Sequence, residues 1–404
     1  MSPLAEIPFS SLEAMSLPLQ ARITEFRHLA SYNWIESPIA TIAVPGSPAK
    51  WSPPNGPTRL RKDTGDFYTA QNAARHPESP LEPLFRALLL ADPLVDLRSV
   101  DIVTDRNNIR KLLSFVEPST ARNGVKDFSI GVEVVGKTAL FSREENEVHE
   151  YIAPGDFRGY GHEFEKTYTQ CQIHGSTGHH RISAYHFGGL SFLVRSTIDG
   201  YVPRPSKGET GTCTTSNLAD ELSSLALSEA PASCLWAGSE LRVRMEGETI
   251  PAEQCLEVKT RVAHKPLGMQ DVMPQIWASQ TPKLVRAYHS RGLFHPPAVE
   301  DVSEDMKRWE NDNQGTLRKL AAVIARILGV ARLHGKPIQV KYTVADNQLV
   351  LRGNGSEKKM LPKDLYSKWD TTTLTETTDS PHTKIVHTAS DNKAAITATK
   401  VEKC

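Results

Sequence analysis

Three acidic residues and one lysine have the types and settings that hydrolysis of a phosphodiester requires. In the stretch CLEVKTR (255–261), Glu257 and Lys259 stand two apart within an apolar run. Alternate residues of a β-strand share a face, so the acid and the amine would stand side by side. In LVRSTIDGYV, Asp199 follows an apolar run and precedes Gly200, where a strand ends and lifts its carboxylate out of the sheet. In GHEFEKTY, Glu165 lies on a segment of helical pattern whose Phe164 can pack while the acid reaches a site at the helix edge. Magnesium and manganese take hard oxygen ligands, so carboxylates drawn from separate elements are the donors expected of such an ion. The ion neutralises the scissile phosphate, and a neighbouring lysine can orient water and stabilise developing negative charge. Taken alone the pattern is loose, because charged residues two apart on a strand commonly form a solvent-facing pair.

The elements that would position these groups are legible from periodicity. A helix is expected from PLEPLFRALLLA, a strand from SVDIVTD (99–105) and a helix from RNNIRKLLSFV (106–116). FSIGVEVVGKTALFSREE (128–145) reads as a hairpin turning at Gly136-Lys137, and residues 181–202 as two β-runs joined at Gly188-Gly189. Strands follow at 240–246 and 255–261, a long helix over 303–335, and a hairpin over 338–353. The stripe Leu317, Leu320, Ile324, Ile327, Leu328 has core spacing. These elements predict an α+β (α/β-like) fold, a mixed sheet flanked by helices. Residues 1–80 read as a proline-rich arm, 81–366 as the principal domain with a flexible insert at 203–239, and 367–404 as a disordered tail.

Composition narrows the rest. Lysine plus arginine equals aspartate plus glutamate, 47 each, with a pI near 7.2. Net charge therefore advertises no polyanionic partner, and any electropositive groove must be local. Five cysteines without a C-x-x-C pair suggest neither a zinc site nor a disulfide framework. No leader pattern or run of about 18 apolar residues is present, so no membrane role is expected and the nucleus or the cytoplasm is the expected location. The histidines of QIHGSTGHHRISAYHF lack a ligand spacing and read as a surface loop entering a strand. Arg181, Arg195 and Arg261 neighbour the acids in sequence and, with Gln280, are candidates for binding phosphate or substrate. Lys283, Arg286, His289 and Arg291, broken by Tyr288, could track a nucleic-acid backbone.

The wider chain resembles the DXO-like decapping nuclease family of the PD-(D/E)xK class. GYGHEFE (159–165), IDGYV (198–202), CLEVKT (255–260) and MPQIWASQ (273–280) fall in the order of that family's G-Y-x-F-E, G-E-x-D, E-L-K-T and W-A-Q-S blocks. The resemblance implies a nuclease fold in which Glu165, Asp199 and Glu257 hold one or two Mg2+ or Mn2+ ions and Lys259 handles the water. It further implies activity at RNA five-prime ends, either decapping or pyrophosphohydrolysis or five-prime-to-three-prime exonucleolysis, and leaves room for a partner exoribonuclease. Two positions depart from the family pattern. Thr197 stands where the G-E-x-D glutamate would be, and Ser279 displaces the glutamine to Gln280. Thr197 supports an alternative reading, a nuclease-shaped scaffold that binds RNA or protein with little turnover, and DNA as substrate is a third. The chain also looks like fungal sequences carrying a geranylgeranyl pyrophosphate synthase name, yet it has no D-D-x-x-D motif to cradle a diphosphate.

Overall fold

The structure is a computed structural model that describes residues 2–121, 123–204, 233–236, 238–355 and 358–370. Most of the expected 203–239 insert and most of the 367–404 tail lie outside the described residues.

A mixed sheet of twelve strands forms the frame, and a second sheet of eight strands stands beside it. At the centre of the larger sheet Ile102–Asp105 runs parallel to Leu190–Ile198, which pairs antiparallel with Ser176–Phe187 and, beyond it, Thr24–Ile35. Strands buried on both faces carry near-continuous apolar runs, and these do. Phe192 and Val194 join the core cluster on one face and Leu193 that on the other.

The first face is covered by the helices Arg106–Val116, Met269–Ser279 and Gln314–His334, whose stripe Leu317, Leu320, Ile324 and Ile327 is fully buried. Each such side chain contributes roughly 1.5–3 kcal/mol on burial. The second face carries the helix Glu82–Ala91 through Leu84, Phe85 and Leu88.

Several expected elements are seen almost as read, among them the helix Arg106–Val116 and the hairpins Phe128–Val135/Thr138–Glu144 and Ile338–Thr343/Gln348–Gly353. Others differ. The expected long helix is two, Ser303–Asp312 and Gln314–His334. The expected N-terminal arm is woven into the fold, because Thr24–Ile35 is a twelve-residue interior strand whose buried Ser31 and Asn33 disguise its pattern. Their polarity is satisfied internally: Ser31 Oγ donates to the Pro45 carbonyl (2.8 Å) and Asn33 Nδ2 to that of Ser47 (2.9 Å). Core packing also continues past 366, since Trp369 is buried and its Nε1 donates to Thr138 Oγ1 at 2.8 Å.

Candidate active site

The chain steps from one sheet to the other at Asp199. Leu190–Ile198 belongs to the large sheet and Gly200–Tyr201 to the small one. Gly200 permits the step: a Cβ there would stand 2.9 Å from the Ala49 carbonyl oxygen. Gly200–Tyr201 pairs with Cys255–Val262 only through Leu256 and Cys255, so on that side the longer strand then has an open edge. Asp199 Oδ2 accepts the Val258 N–H there at 2.8 Å.

Alternation along Cys255–Val262 sorts its side chains by face. Leu256 and Val258 pack with Phe164 and Tyr168 of the helix Gly161–Tyr168. Glu257 and Lys259 point the other way, toward the helix Met269–Ser279. Phe164 and Tyr168, one turn apart, stack with centroids 3.9 Å apart and anchor their helix. Glu165, rotated from that apolar face, reaches the cleft.

That cleft, about 1260 Å³, is lined by Glu165 and Asp199 on one side and by Arg106, Arg110, Arg143 and Arg195 elsewhere. Its charges divide sharply. Glu257 is buried and saturated: Lys259 Nζ and Gln275 Nε2 donate to Oε1, and Arg106 Nη1 donates to Oε2 at 3.0 Å. Burial alone would raise its pKa, but the charges of Lys259 and Arg106 outweigh that and hold the carboxyl at about 2.

Glu165 and Asp199 are the opposite case. Beyond the Val258 N–H neither carboxylate has a hydrogen-bond or ion-pair partner among the described residues. Burial and then the Glu257 charge push Asp199 up to about 6, and burial and then Asp199 push Glu165 well above the usual carboxylate range. The expectation that three carboxylates would gather about one point is not met. Among the described residues no three His, Cys, Asp or Glu side chains are grouped to hold an ion, because Glu257 has turned to its own cations.

A pair of acids still fits a hard divalent cation. Magnesium keeps several waters and is commonly held by one or two carboxylates together with substrate phosphates. Two half-buried acids that form no ion pair among the described residues gain from such an ion's charge.

The other predicted residues fall elsewhere. Arg181 is fully buried, with Nη2 donating to the Ser279 carbonyl at 2.6 Å, so it braces the end of the Met269–Ser279 helix instead of meeting substrate. Gln280, in the left-handed conformation, donates to the Trp277 carbonyl at 2.7 Å and caps that helix. Arg195 touches the cleft but is held by both Asp105 oxygens, at 2.6 and 3.0 Å. Arg261 lines a separate cavity of about 870 Å³ with Lys62, Phe157 and Arg291, joined to the cleft at His162 and Glu165. In the expected basic run, Lys283 is paired with Asp301 and Arg286 with Glu300. His179 and His180 lie buried within the strand Ser176–Phe187, where desolvation holds both imidazoles well below their ordinary pKa.

Sequence reasoning missed Arg106 and Arg110. Their signal is an arginine opening a helix directly after a strand, with a second one turn later on the same face. Arg110 is exposed, lines the cleft and forms no hydrogen bond or ion pair among the described residues.

This geometry defines a two-sheet fold with an acidic and basic cleft at the junction, and the fold is shared with solved structures. Rai1 from S. pombe in complex with 3'-FADP superposes with a TM-score of 0.55 at 12% identity, over 87% of this chain and 99% of that one. Scheffersomyces stipitis Rai1 in complex with (3'-NADP)+ and calcium ion gives 0.56 at 11%, over 91% and 99%. Candida albicans Rai1 in complex with pU5-Mn2+ gives 0.53 at 12%, over 90% and 98%. The fold implied by the sequence resemblance is therefore the fold observed. No curated protein matches the chain in sequence. Residues 18–368 match a family model described as a domain of unknown function (DUF8563), and the chain belongs to that family.

Proposed function

We propose that the protein is a divalent-metal-dependent hydrolase of RNA five-prime ends, cleaving caps or pyrophosphate or removing nucleotides exonucleolytically from that end. One observation carries this reading: Glu165 and Asp199 are half-buried acids at a sheet junction whose carboxylates have the Val258 N–H as their one hydrogen-bond donor among the described residues, and they face a cleft that also presents the guanidinium of Arg110. Mg2+ or Mn2+ would be held by Glu165 and Asp199 and would supply phosphate neutralisation and water activation. Arg110 would fork onto phosphate oxygens, as arginine geometry favours. Lys259, tied to Glu257, presents its amine at the strand's open edge, where it would orient water. The fold-mates carrying pU5-Mn2+ and calcium support a hard cation beside a phosphate ligand. No helix among the described residues is long and apolar enough to cross a membrane. RNA in the nucleus or cytoplasm, with or without a partner exoribonuclease, is the proposed setting.

The test is incubation of the purified chain with Mn2+ and five-prime-monophosphate or capped RNA, with a DNA strand of equal sequence alongside. Mn2+-dependent product that Asp199→Asn removes supports the proposal. Equal inertness of the wild type and the variant on every end tried would end it. A second reading, an RNA-binding scaffold with little turnover, is favoured by the saturation of Glu257 and by Thr197, and predicts tight RNA binding in the same inert protein.

A further inference from the structure

The Arg106 guanidinium bridges the two sheets, bonded to Glu257 in one and to Thr197 in the other. Arg106 is the first residue of the helix that follows Ile102–Asp105, and that strand runs parallel to Leu190–Ile198 with Asp105 opposite Arg195. The side chain thereby enters between the two sheets. Its Nη1 donates to Glu257 Oε2 at 3.0 Å and to Ser279 Oγ at 3.3 Å, and its Nη2 to Thr197 Oγ1 at 2.9 Å. Only 9% of the side chain is exposed.

Thr197 stands two residues before Asp199, on the strand that delivers it. A carboxylate at 197 would add a negative charge and demand a further cation. The threonine hydroxyl adds none, and it accepts the hydrogen bond of a cation already present.

We propose that the Arg106 guanidinium is the cleft's resident second cation, so that the site takes a single exchangeable divalent ion, at Glu165 and Asp199. The inference rests on the metal-dependent reading above and fixes its stoichiometry. Glu257 is answered by Arg106 and Lys259, which leaves Glu165 and Asp199 as the two acids of the trio without an ion pair and open to one divalent ion. A second ion near Glu257 would meet a guanidinium that cannot deprotonate under ordinary conditions and that repels it at short range. Arg106 thus acts through Glu257 and Thr197 as a positioning residue, setting how many ions the cleft accepts.

Mn2+ titration of the full chain, followed by the electron-spin-resonance signal of free Mn2+, counts the ions directly and needs no turnover. The wild type should bind one Mn2+ per chain, and Asp199→Asn should weaken that site at least tenfold. Thr197→Glu should still bind one, because Arg106 neutralises the new carboxylate. Thr197→Glu combined with Arg106→Gln should bind two. Two ions in the wild type, or a second ion gained by Thr197→Glu alone, would overturn the inference and leave the hydrolase reading standing. No ion bound by the wild type or any variant would remove the metal-dependent reading itself and this inference with it. If the double variant fails to give a cooperative thermal melt, the Thr197→Glu count still decides.

Discussion

Acids withdrawn from solvent, fully at Glu82 and Glu133 and in part at Glu165 and Asp199, occur in two regions of this protein and are treated in opposite ways. On the face of the large sheet covered by Glu82–Ala91, Glu82 accepts from Arg86 Nε at 2.9 Å and is paired with His76 at 2.7 Å. Nearby, Glu133 receives Lys359 Nζ and the Met360 N–H, both at 2.9 Å, and the Tyr366 hydroxyl at 3.0 Å. At the sheet junction, Glu165 and Asp199 are desolvated yet have almost no donors. An acid taken out of water needs a compensating partner or it holds a proton. The first pair has its partners within the chain. The second lacks them, and this is the difference expected between acids that stabilise a fold and acids that await a ligand.

The comparison can be broken most forcefully on the structural side. Glu82→Ala should cost about 3–5 kcal/mol, because it strands His76 and removes one partner of the buried Arg86. Urea denaturation measures this, and a loss under 1 kcal/mol would mean that the network is ornamental.

On the cleft side, Asp199→Asn should lower Mn2+-dependent hydrolysis by roughly 10²–10³, the scale of a lost electrostatic contact to the transition state. Its urea midpoint without metal should be equal to or above that of the wild type. A variant that loses both stability and activity would place Asp199 with Glu82 instead.

The pH dependence sharpens the contrast. Folded Asp199 keeps its proton up to about pH 6, whereas the unfolded side chain releases it near 3.8. The folded state therefore binds more protons between these values, and its stability from this group is lost as pH rises through that window. In chelator, the stability advantage of Asp199→Asn over the wild type should open between about pH 4 and 6 and persist above. An advantage that instead grows on acidification would contradict the assignment.

The smallest effect concerns Arg110. Arg110→Ala should leave stability nearly unchanged and reduce the slope of RNA affinity against salt by about 1, as the loss of one phosphate contact does. An unchanged slope would remove Arg110 from the binding surface.

Much of this was legible in local pattern. The period-2 run at CLEVKTR placed Glu257 and Lys259 on one face, and Asp199-Gly200 marked a strand end, because both depend only on neighbours in the chain. What escaped depends on contacts distant in sequence. Arg106 and Glu257 are 151 residues apart, and no spacing rule links them. The strand Thr24–Ile35 escaped because its interior Ser31 and Asn33 find partners at Pro45 and Ser47, which a hydropathy pattern does not register. Arg181 was taken for a phosphate ligand because sequence proximity to the acids says nothing about which side of a sheet a guanidinium enters.

The amino-acid order by itself determined which groups were available: three acids, a lysine beside one of them, and a threonine where a fourth acid would have stood. Only the tertiary structure decided how they were apportioned. Coulombic pairing falls off over a few ångströms, so the guanidinium that the fold delivered to Glu257 made that acid a fixed ion pair. The two acids with which it forms no ion pair were left open to the cleft.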